Sequence, residues 1–525
     1  MFRSQFPDVA VPDVPIFEYL FGEIDDEALD RVAIIDGSSG AETTYRQLIG
    51  QIGLFAGALA ARGVGVGTRV GLLCPNVPAF ATVFHGILRA GATATTINSL
   101  YTADEIANQL DDAGADWLIT VSPLLAGAKQ AAQRRGIPDD HLIVLDGAEG
   151  HPDLRALLSE GRSAPEVSFD PATHLAVLPY SSGTTGRPKG VMLTHRNLVA
   201  NVAQCGPLLS VGADDRVLAV LPFFHIYGMT VLLNFAVRQR AAIVTMPKFD
   251  LTEFLRIIAE HRTSWVFVAP PIAVALAKHP IVDQYDLSAV RVVFSGAAPL
   301  DGALAAAVAA RLGCAVVQGY GMTETSPAVN LIPAERDDID KSSIGPLVPN
   351  TEARLVDPDS GADVPVPDAG TSAPGELWVR GPQVMTGYLN RPEATAEMLD
   401  ADGWLRTGDI ATATSDGIFR IVDRLKELIK YKGYQVAPAV LEAVLLEHPS
   451  IADAAVVGAT DADGQEVPKA FVVRQAGVEL TADEVMEFVA GRVAPHEKVR
   501  QVEFIDTVPK SSSGKILRKD LRARA

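Results

Sequence analysis

A loop able to bind a phosphate group follows directly after an apolar stretch at residues 174–179. It reads Tyr180-Ser-Ser-Gly-Thr-Thr-Gly-Arg-Pro-Lys189-Gly190, so it combines closely spaced backbone N–H groups, hydroxyl donors and a lysine charge. The Walker A pattern GxxxxGK[ST] is absent, which excludes the usual P-loop. A solvated Ser/Gly turn is the alternative, but the length of the specified pattern favours phosphate binding.

Further motifs follow in order along the chain. They are Pro222-Phe-Phe-His-Ile-Tyr-Gly228, Gln318-Gly-Tyr-Gly-Met-Thr-Glu324, Trp404-Leu-Arg-Thr-Gly-Asp409, Asp423-Arg424, Lys430-Tyr-Lys-Gly433 and Pro509-Lys-Ser-Ser-Ser-Gly-Lys515. We expect residues 318–323 to end an apolar strand in a glycine-rich turn, where the backbone can approach a flat ligand and Tyr320 can stack on it. Asp409, in a Thr-Gly-Asp turn, can accept hydrogen bonds from two hydroxyl groups, although such an Asp alone more often only forms the turn.

With these motifs, the sequence resembles the adenylate-forming superfamily of acyl-CoA synthetases, plant-type ligases and luciferases, over nearly the whole chain. The resemblance implies ATP-dependent activation of a carboxylic acid and transfer of the acyl group to coenzyme A, with ATP, Mg²⁺ and coenzyme A as cofactors. The chain looks most like bacterial 4-coumarate:CoA ligases and their short- or medium-chain fatty-acyl relatives. It departs from the plant pattern at Gly228, Thr230 and Trp378, where plant ligases carry Ser, Asn and Cys.

The resemblance also implies a nucleotide site. Its predicted ATP- and AMP-binding residues are Ser181, Ser182, Gly183, Thr184, Thr185, Lys189, Gln318, Gly319, Tyr320, Thr323, Asp409, Arg424 and Lys515. Glu324 is expected to hold Mg²⁺, because one carboxylate is enough when phosphates supply the other ligands. A surface charge at a turn is the alternative for Glu324.

Lys515 lies in a Ser/Gly-rich loop of the kind that is often mobile. A carboxylic acid with a pKa of about 4 is already ionised near pH 7, so adenylation needs relief of charge repulsion instead of a base. A lysine that bridges the carboxylate and the α-phosphate can supply that stabilisation. By resemblance, the predicted catalytic residues are Lys515, Lys430, Gln435, His225, Thr184 and Glu324.

The second step requires a thiol to attack the acyl-adenylate, and a thiol with a pKa of roughly 8.5 is mostly protonated near neutral pH. In the family, the C-terminal domain swings about a hinge, which here is Lys426. The swing removes Lys515 and brings Lys432 and Gly433 to the pantetheine tunnel. Lys248 matches a contact to a phosphate of coenzyme A, with a solvated lysine as the alternative. Lys430 and Gln435 match contacts to the acyl-adenylate.

An acyl pocket is predicted where Phe-His-Ile-Tyr follows the apolar run 216–221. By resemblance, its lining residues are His225, Ile226, Tyr227, Gly296, Gly319, Gly321, Pro327 and Leu331. Several glycines would leave a flat slot that suits a planar ring. The expected substrate is therefore an aryl-propenoic acid such as 4-coumarate, and a short- or medium-chain fatty acid is the alternative.

Apolar, β-branched runs alternate with amphipathic runs over the first 350 residues. Predicted strands are 69–74, 174–180, 216–221, 265–269 and 291–295, and 304–312 is a predicted helix. This alternation predicts α/β layers. Short strands at 376–380 and 418–422 predict a smaller β-rich subdomain. We place the domain boundary after Arg424, which gives a large N-terminal domain (residues 1–424) and a small, mobile α+β C-terminal domain (residues 425–525).

The composition, 48% hydrophobic and 21% charged, is that of a globular protein. A net charge of −19 argues against a nucleic-acid partner. Cys74, Cys205 and Cys314 form no CxxC pair, as expected of buried thiols in a reducing compartment. No apolar run reaches the length of a membrane span, and neither a signal peptide nor a C-terminal SKL is recognisable. We therefore expect a cytoplasmic protein without integral membrane association, as a monomer or homodimer.

Other functions share parts of this pattern. An amino-acid-adenylating module would carry an Asp in the segment Phe224-His225-Ile226, which has none. The intact Lys430–Gly433 motif favours coenzyme A over a carrier protein as the acyl acceptor, and hence disfavours a carrier-loading acyl-AMP ligase. A luciferase-like oxygenase shares every ATP motif and stays open. A scaffold that only binds nucleotide is disfavoured because Lys189, Glu324 and Lys515 are all present.

Overall fold

The computed structural model describes residues 1–181, 188–431, 434–461, 466–511 and 514–525, with only the backbone described for residues 434 and 435. The strands are β1 Phe2–Arg3, β2 Val32–Asp36, β3 Glu42–Thr44, β4 Arg69–Leu73, β5 Thr93–Thr96, β6 Trp117–Thr120, β7 Leu142–Val144, β8 Leu175–Val177, β9 Tyr180–Ser181, β10 Lys189–Thr194, β11 Arg216–Ala219, β12 Ala242–Thr245, β13 Trp265–Val268, β14 Val292–Ser295, β15 Ala315–Gly321, β16 Ala328–Leu331, β17 Glu352–Val356, β18 Gly375–Arg380, β19 Gly387–Tyr388, β20 Leu405–Ala413, β21 Phe419–Arg424, β22 Ile429–Tyr431, β23 Tyr434–Val436, β24 Ile451–Thr460, β25 Glu466–Arg474 and β26 Gln501–Phe504.

The α-helices alternate with these strands through much of the chain. They are α1 Ile16–Phe21, α2 Asp26–Leu29, α3 Tyr45–Ala60, α4 Pro78–Arg89, α5 Ala103–Ala113, α6 Leu125–Arg135, α7 Leu154–Ser159, α8 His195–Cys205, α9 Ala236–Arg238, α10 Leu251–His261, α11 Pro270–Lys278, α12 Gly302–Leu312, α13 Pro392–Met398, α14 Pro438–Leu446, α15 Ala482–Ala490 and α16 Arg518–Arg522. A π-helical segment, Gly228–Phe235, precedes α9.

Each strand predicted in the first 350 residues is present, with an end trimmed where the chain turns. The largest difference is at the predicted strand 174–180, where regular pairing is limited to β8 and then to the short β9. The predicted helix 304–312 is α12, which begins earlier because the Asp301 carboxylate accepts hydrogen bonds from the N–H groups of Ala303 and Leu304.

Local signals fix the ends of α5, a helix that matters for the site. Thr102 and Glu105 form a reciprocal capping box at its start, and Gly114, with φ +62°, ends it in the left-handed conformation. Asp112 therefore lies in the last turn of α5, next to the strands of the first large sheet.

The described residues of the large N-terminal part form three sheets. One has the strand order β19-β10-β8-β5-β4-β6-β7, with β9 paired to β10. A second has the order β16-β15-β14-β13-β11-β12-β2-β3, with β15 to β2 parallel. The third, β1-β17-β18-β20-β21, is antiparallel and forms the predicted β-rich subdomain.

The smaller C-terminal part combines a hairpin, β22–β23, with a sheet of order β24-β25-β26 and helices α14 to α16. Its buried core runs from Ile429 to Leu521, whereas the buried core of the larger part ends at Phe419. The predicted fold class, a large α/β part with a β-rich subdomain and a small α+β part, is confirmed. The exact boundary after Arg424 stays a prediction that falls between the two cores.

Candidate active site

The parallel strands of the second sheet all end at the same edge of that sheet, the one formed by their carboxyl ends. Strands β15, β14, β13 and β11 are consecutive neighbours, so the chain segments that follow their carboxyl ends lie side by side. His225 follows β11, Ala269 follows β13, Gly296 follows β14, and Gln318–Gly321 form the end of β15. In open α/β sheets this edge is the usual position of a ligand site.

Glu324 lies just beyond β15, in a short 3₁₀ turn, and is only 5% exposed. Its Oε1 atom accepts hydrogen bonds from the hydroxyls of Ser181 (3.0 Å) and Tyr388 (2.7 Å). Burial of Tyr388, together with the adjacent Glu324 charge, raises the pKa of its hydroxyl, which therefore stays a hydrogen-bond donor. Glu324 is thus a buried, hydrogen-bonded carboxylate and not a surface charge.

Tyr388 also connects Glu324 to the predicted phosphate-binding lysine. The ammonium of Lys189 lies over the Tyr388 ring, 4.9 Å from its centroid, and Lys189 pairs with Ser181 across β9 and β10. Sequence reasoning missed Tyr388. A lone tyrosine in Gly387-Tyr-Leu-Asn carries no chemical signal of its own until β19 pairs with β10.

Asp409, Tyr320 and Arg424 form a second cluster. The Tyr320 hydroxyl donates to Oδ2 of Asp409 at 2.5 Å, and Nε of Arg424 lies 3.4 Å from Oδ1. Burial, reinforced by the Asp409 charge, raises the pKa of Tyr320 well above its usual value. The pairing of β20 with β21 explains the proximity, because it places Asp409 opposite Arg424.

Two local expectations in this region need correction. The apolar strand does end in a turn, but later than expected: Gln318–Gly321 continue β15, paired with β16, and the turn is Thr323–Thr325. Asp409 is not in a turn: it lies in β20, where Gly408, with φ +73°, accompanies an irregularity in the register with β18.

The side chain of Gln318 is occupied by the protein itself. Its Nε2 donates to the carbonyl oxygens of Leu300 (3.0 Å) and Lys341 (2.6 Å), and its Oε1 accepts from the N–H of Leu300 (3.0 Å). A nucleotide contact from Gln318 would therefore come from its backbone.

Thr323, another predicted nucleotide contact, is buried beside Glu324.

The C-terminal part brings Lys515 into this site. Burial and the positive charge of Arg424 lower the pKa of Lys515 to about 8, although the negative charges of Asp409, Glu324 and Glu427 act in the opposite direction. His225 is affected in turn: burial and then the Lys515 charge lower the pKa of its imidazole to about 4. The structure thus brings together charged residues from both parts of the chain.

Arg518 anchors the segment that carries Lys515. Its guanidinium pairs with both carboxylate oxygens of Glu442, at 2.7 and 2.6 Å, and with Glu427 at 2.5 Å. Glu427 follows Arg424 in the turn after β21, and burial raises the pKa of Glu442. The anchor therefore ties Lys515 to the turn that contains Lys426.

The predicted acyl-pocket glycines face protein atoms and not an open slot. A β-carbon at Gly296 would stand 2.7 Å from the Tyr227 ring, and one at Gly319 would stand 2.7 Å from the Leu331 side chain. A β-carbon at Gly321 would collide with the backbone oxygen of Pro327. The flat-slot interpretation therefore needs correction: at these positions glycine makes room for other predicted pocket residues.

The other predicted pocket residues are buried. Ile226 is 1% exposed and Leu331 is 3% exposed, and Pro327 is buried beside β16. Tyr227 packs edge-on against Phe267, at 6.4 Å between ring centroids. Burial raises the pKa of Tyr227, so its hydroxyl is neutral at physiological pH.

Lys248, Lys426 and Lys430, predicted to serve coenzyme A transfer and the hinge, lie on the surface. Lys248 is exposed in the loop between β12 and α10. Lys426 is exposed in the turn between β21 and β22, and Lys430 is exposed on β22, where its backbone N–H donates to Glu466 at 2.9 Å. Lys430 is thus on the surface and not among the buried side chains of the site. Predicted residues outside the described part of the chain are Ser182, Gly183, Thr184, Thr185, Lys432 and Gly433, together with the side chain of Gln435.

The charged groups of the site fit a single magnesium contact. Within the described ranges, no group of three or more His, Cys, Asp or Glu side chains is arranged to hold a metal ion. The buried Glu324 carboxylate, fixed through Oε1 by two hydroxyls, matches an ion that takes its remaining ligands from phosphates and water.

Comparison with known families identifies the class of protein. Residues 23–389 match the AMP-binding enzyme family, and residues 440–515 match the AMP-binding enzyme C-terminal domain. The chain belongs to the AMP-binding enzyme family.

Within this family, the chain is similar over its full length to 4-coumarate–CoA ligases. The chain is 43% identical to 4-coumarate–CoA ligase 5 of Oryza sativa subsp. japonica, across 100% of this chain and 97% of the relative. It is 44% identical to 4-coumarate–CoA ligase 1 of Solanum tuberosum, across 100% and 96%. The likeness to 4-coumarate–CoA ligases is confirmed, but these strong full-length matches are plant enzymes and not the bacterial ones expected.

Solved structures share the whole architecture. The ATP-bound structure of MatB from Rhodopseudomonas palustris matches with a TM-score of 0.87 and 29% identity, across 98% of this chain and 99% of that one. The anthranilate CoA ligase AuaEII in complex with anthranoyl-AMP matches with a TM-score of 0.89 and 26% identity, across 98% and 97%. In the described part of this chain, no helix has the length and apolar character needed to cross a membrane.

Proposed function

We propose that this chain is an ATP-dependent carboxylate–CoA ligase that forms an acyl-adenylate, releases pyrophosphate and then forms an acyl-CoA thioester. The observation that carries the proposal is the convergence of Lys515, from the small C-terminal part, with Glu324, Asp409 and His225 of the large part. Family membership and the full-length likeness to 4-coumarate–CoA ligases support the same reaction.

In the first step, a carboxylate oxygen of the substrate attacks the α-phosphorus of ATP and pyrophosphate leaves. The Lys515 ammonium would lie between the two anions and stabilise the charge that shifts toward pyrophosphate. Lys189 is suited to hold phosphate oxygens, and Ser181 can do so when its one hydroxyl proton turns from Glu324 to a phosphate. Asp409 and Arg424 are suited to orient the ribose. Because Tyr320 already donates to Asp409, it would support that carboxylate next to the nucleoside.

Glu324 is the residue that would hold Mg²⁺, with Ser181 and Tyr388 fixing its carboxylate. The ion would neutralise phosphate charge when bound. The Tyr388 hydroxyl restricts Glu324 to one orientation, and the ring of Tyr388 holds the Lys189 ammonium nearby.

In the second step, the thiol of coenzyme A attacks the acyl carbonyl, the thioester forms and AMP leaves. We infer that Lys248, Lys430, Lys432, Gly433 and Gln435 serve this step, after a swing about Lys426 withdraws Lys515. The surface position of Lys430 and the exposure of Lys426 in a turn support an arrangement that differs from the one seen.

The favoured substrate is an aryl-propenoic acid such as 4-coumarate. Support comes from the names of the relatives and from the aromatic side chains beside Gly296, where Tyr227 packs on Phe267 and Phe267 on Phe294. A short- or medium-chain fatty acid is the second candidate, because the same residues are apolar. We expect the enzyme to work in the cytoplasm, as a monomer or homodimer.

A pyrophosphate-release assay tests the proposal. The chain is incubated with ATP, Mg²⁺ and one acid from a panel of cinnamates, benzoates and fatty acids from butyrate to myristate, with and without coenzyme A. We expect pyrophosphate release with cinnamates in both arms and a thioester, identified by mass spectrometry, only with coenzyme A.

Other outcomes select other functions. Acyl-AMP without any thioester would indicate a ligase that loads a carrier protein, and light emission with luciferin would indicate an oxygenase. Preference for a fatty acid would change the substrate class but keep the reaction. No pyrophosphate with any acid would contradict the proposed function.

A further inference from the structure

Three segments far apart in the sequence meet behind the phosphate-binding hairpin β9–β10. The Tyr180 hydroxyl donates to Oδ2 of Asp112 at 2.8 Å, and Nη2 of Arg391 donates to Oδ1 of the same carboxylate at 2.9 Å. The side-chain amide of Asn390 donates to the backbone oxygen of Asp112 at 3.2 Å. The end of α5, the strand β9 and the segment after β19 are therefore joined at one carboxylate.

The Tyr180 side chain lies over Gly190 of the neighbouring strand β10 on its way to Asp112. Tyr180 pairs with Gly190, and a β-carbon at Gly190 would stand 3.1 Å from the Tyr180 ring and hydroxyl. A larger residue at 190 would therefore displace the tyrosine from this path. Burial, and then the hydrogen bond to Asp112, raise the pKa of Tyr180, so its hydroxyl remains a donor at physiological pH.

The segment 387–391 connects this cluster to the nucleotide site. The backbone N–H of Leu389 donates to the carbonyl oxygen of Gly190 at 2.9 Å, and Tyr388 donates to Glu324 on the inner side. Asn390, with φ +55°, turns the chain so that Arg391 reaches Asp112 on the outer side. One short segment thus contacts both faces of the hairpin.

We propose that Asp112, Tyr180 and Arg391 form a positioning triad, which fixes β9 and β10 so that Ser181 and Lys189 hold the phosphates of ATP. These residues do not touch the nucleotide in this role. They act through the strand pair, in which Tyr180 and Gly190 precede and follow the paired Ser181 and Lys189. The inference rests on the proposed function in that ATP is the ligand of the site.

The hydroxyl of Tyr180 provides the sharpest test. Tyr180→Phe keeps the ring over Gly190 and removes only the hydrogen bond to Asp112. Tyr45→Phe is the control, because the hydroxyl of the buried Tyr45 also donates a hydrogen bond, to the backbone oxygen of Ala241 at 2.9 Å, outside the site. Both variants lose one tyrosine hydrogen bond, but only one of them touches the hairpin.

Nucleotide affinity is measured by calorimetry with Mg²⁺ and α,β-methylene-ATP, and separately with AMP. We expect Tyr180→Phe to weaken binding of the ATP analogue about fivefold or more, with a smaller effect on AMP, because in this proposal Ser181 and Lys189 serve the phosphates lost with pyrophosphate. Tyr45→Phe should lower Tm and leave both affinities unchanged. Asp112→Asn combined with Tyr180→Phe should weaken binding less than the product of the two single effects.

Kinetics give an independent readout. Tyr180→Phe should raise KM for ATP while KM for the acid and the rate of thioester formation from supplied acyl-adenylate stay at the wild-type values. Equal weakening of the ATP analogue and AMP, or an ATP-analogue affinity equal to that of the wild type, would overturn the triad. The affinity measurement needs no acid, so it tests the triad even if the wild-type protein activates none of the acids. Failure to activate any acid would refute the proposed function and not the triad.

Discussion

Gly514 packs against Ala269, so the loop that carries Lys515 rests on the segment that follows β13. A β-carbon at Gly514 would stand 3.0 Å from the Ala269 β-carbon, and Gly514 has φ +84°. Close approach and a left-handed backbone both favour glycine at this position. The contact joins the small C-terminal part to the same sheet edge that holds His225 and Gly296.

Gly514→Ala should slow adenylation by about 5- to 30-fold, since a residue with a β-carbon in this conformation costs about 1–2 kcal/mol and the loop must also move away from Ala269. Gly477→Ala is the matched control, because Gly477 has φ +76° with no atom within 4 Å of an added β-carbon. The control should lower Tm and leave adenylation unchanged. Equal adenylation rates in the two variants would show that the Ala269 contact does not position Lys515.

Replacement of Lys515 by alanine should separate the two half-reactions. Lys515→Ala should slow adenylation by about 10²-fold or more, if its charge acts as strongly as an oxyanion donor. Thioester formation from a supplied acyl-adenylate should largely survive. Lys510→Ala is the control. Lys510 lies in the same loop, but its ammonium pairs with Asp453 at 2.6 Å. If Lys515→Ala reduced both steps equally in a folded protein, the proposed swing would be wrong.

The lowered pKa of Lys515, about 8, predicts a pH dependence of adenylation. A lysine loses its charge as the pH rises through its pKa, so kcat/KM for ATP should be constant below pH 8 and fall above it. ATP–pyrophosphate exchange without coenzyme A measures this, because thiol ionisation then plays no part.

Lys515→Arg is the companion variant for the pH profile. A guanidinium keeps its charge throughout this range, so the fall above pH 8 should vanish, whatever the absolute rate of the variant. A wild-type profile that is level to pH 10 would contradict the lowered pKa of Lys515, and the same fall in Lys515→Arg would assign the dependence to another group.

The charged residues of the site could be predicted because each lies in a sequence motif that is rarely found outside this kind of site. The motifs alone identify Lys515, Glu324, Asp409 and Arg424, and the structure brings these residues together. Their spacing in sequence carries no information on how they meet, but the order of motifs in a known family does. The strands could be predicted because apolar, β-branched runs have few alternatives in an α/β protein.

The supporting contacts could not be predicted. Arg391 and Asp112 are separated by 279 positions, and Tyr388 reaches Glu324 only through the pairing of β19 with β10. Gln318 could serve a nucleotide or the backbone, and only the tertiary structure shows that its amide bonds to Leu300 and Lys341. Such choices depend on strand register, which a single sequence does not specify.

The hinge can be tested at Lys426, which is exposed in the turn after β21. Lys426→Pro should restrict φ near the hinge. Backbone hydrogen bonds donated by Leu425 and Glu427 on either side should remain, so the adenylation arrangement should persist. We expect near-normal acyl-adenylate formation with poor thioester formation in rapid-quench assays. Unchanged overall turnover would place the hinge elsewhere or show that no swing is needed.

Gly296 provides a test of the acyl pocket, because a side chain there would displace the Tyr227 ring. In Gly296→Val the ring of Tyr227, itself a predicted acyl-pocket residue, must move. Overpacking typically costs about 1–3 kcal/mol, so kcat/KM for cinnamates should fall roughly 5- to 150-fold. The fall should be smaller for butyrate, which needs less of the pocket.

Two further variants make the Gly296→Val result decisive. Gly212→Val is a control at a glycine with no atom within 4 Å of an added β-carbon, and it should leave both acids unaffected. Tyr227→Ala in the Gly296→Val background should restore part of the cinnamate activity, because it removes the displaced ring. KM for ATP should stay constant throughout, since the added group meets Tyr227 and not the nucleotide residues. Equal losses for both acids, together with a raised KM for ATP, would mean that Gly296 serves the backbone beside the nucleotide and does not shape the acyl pocket.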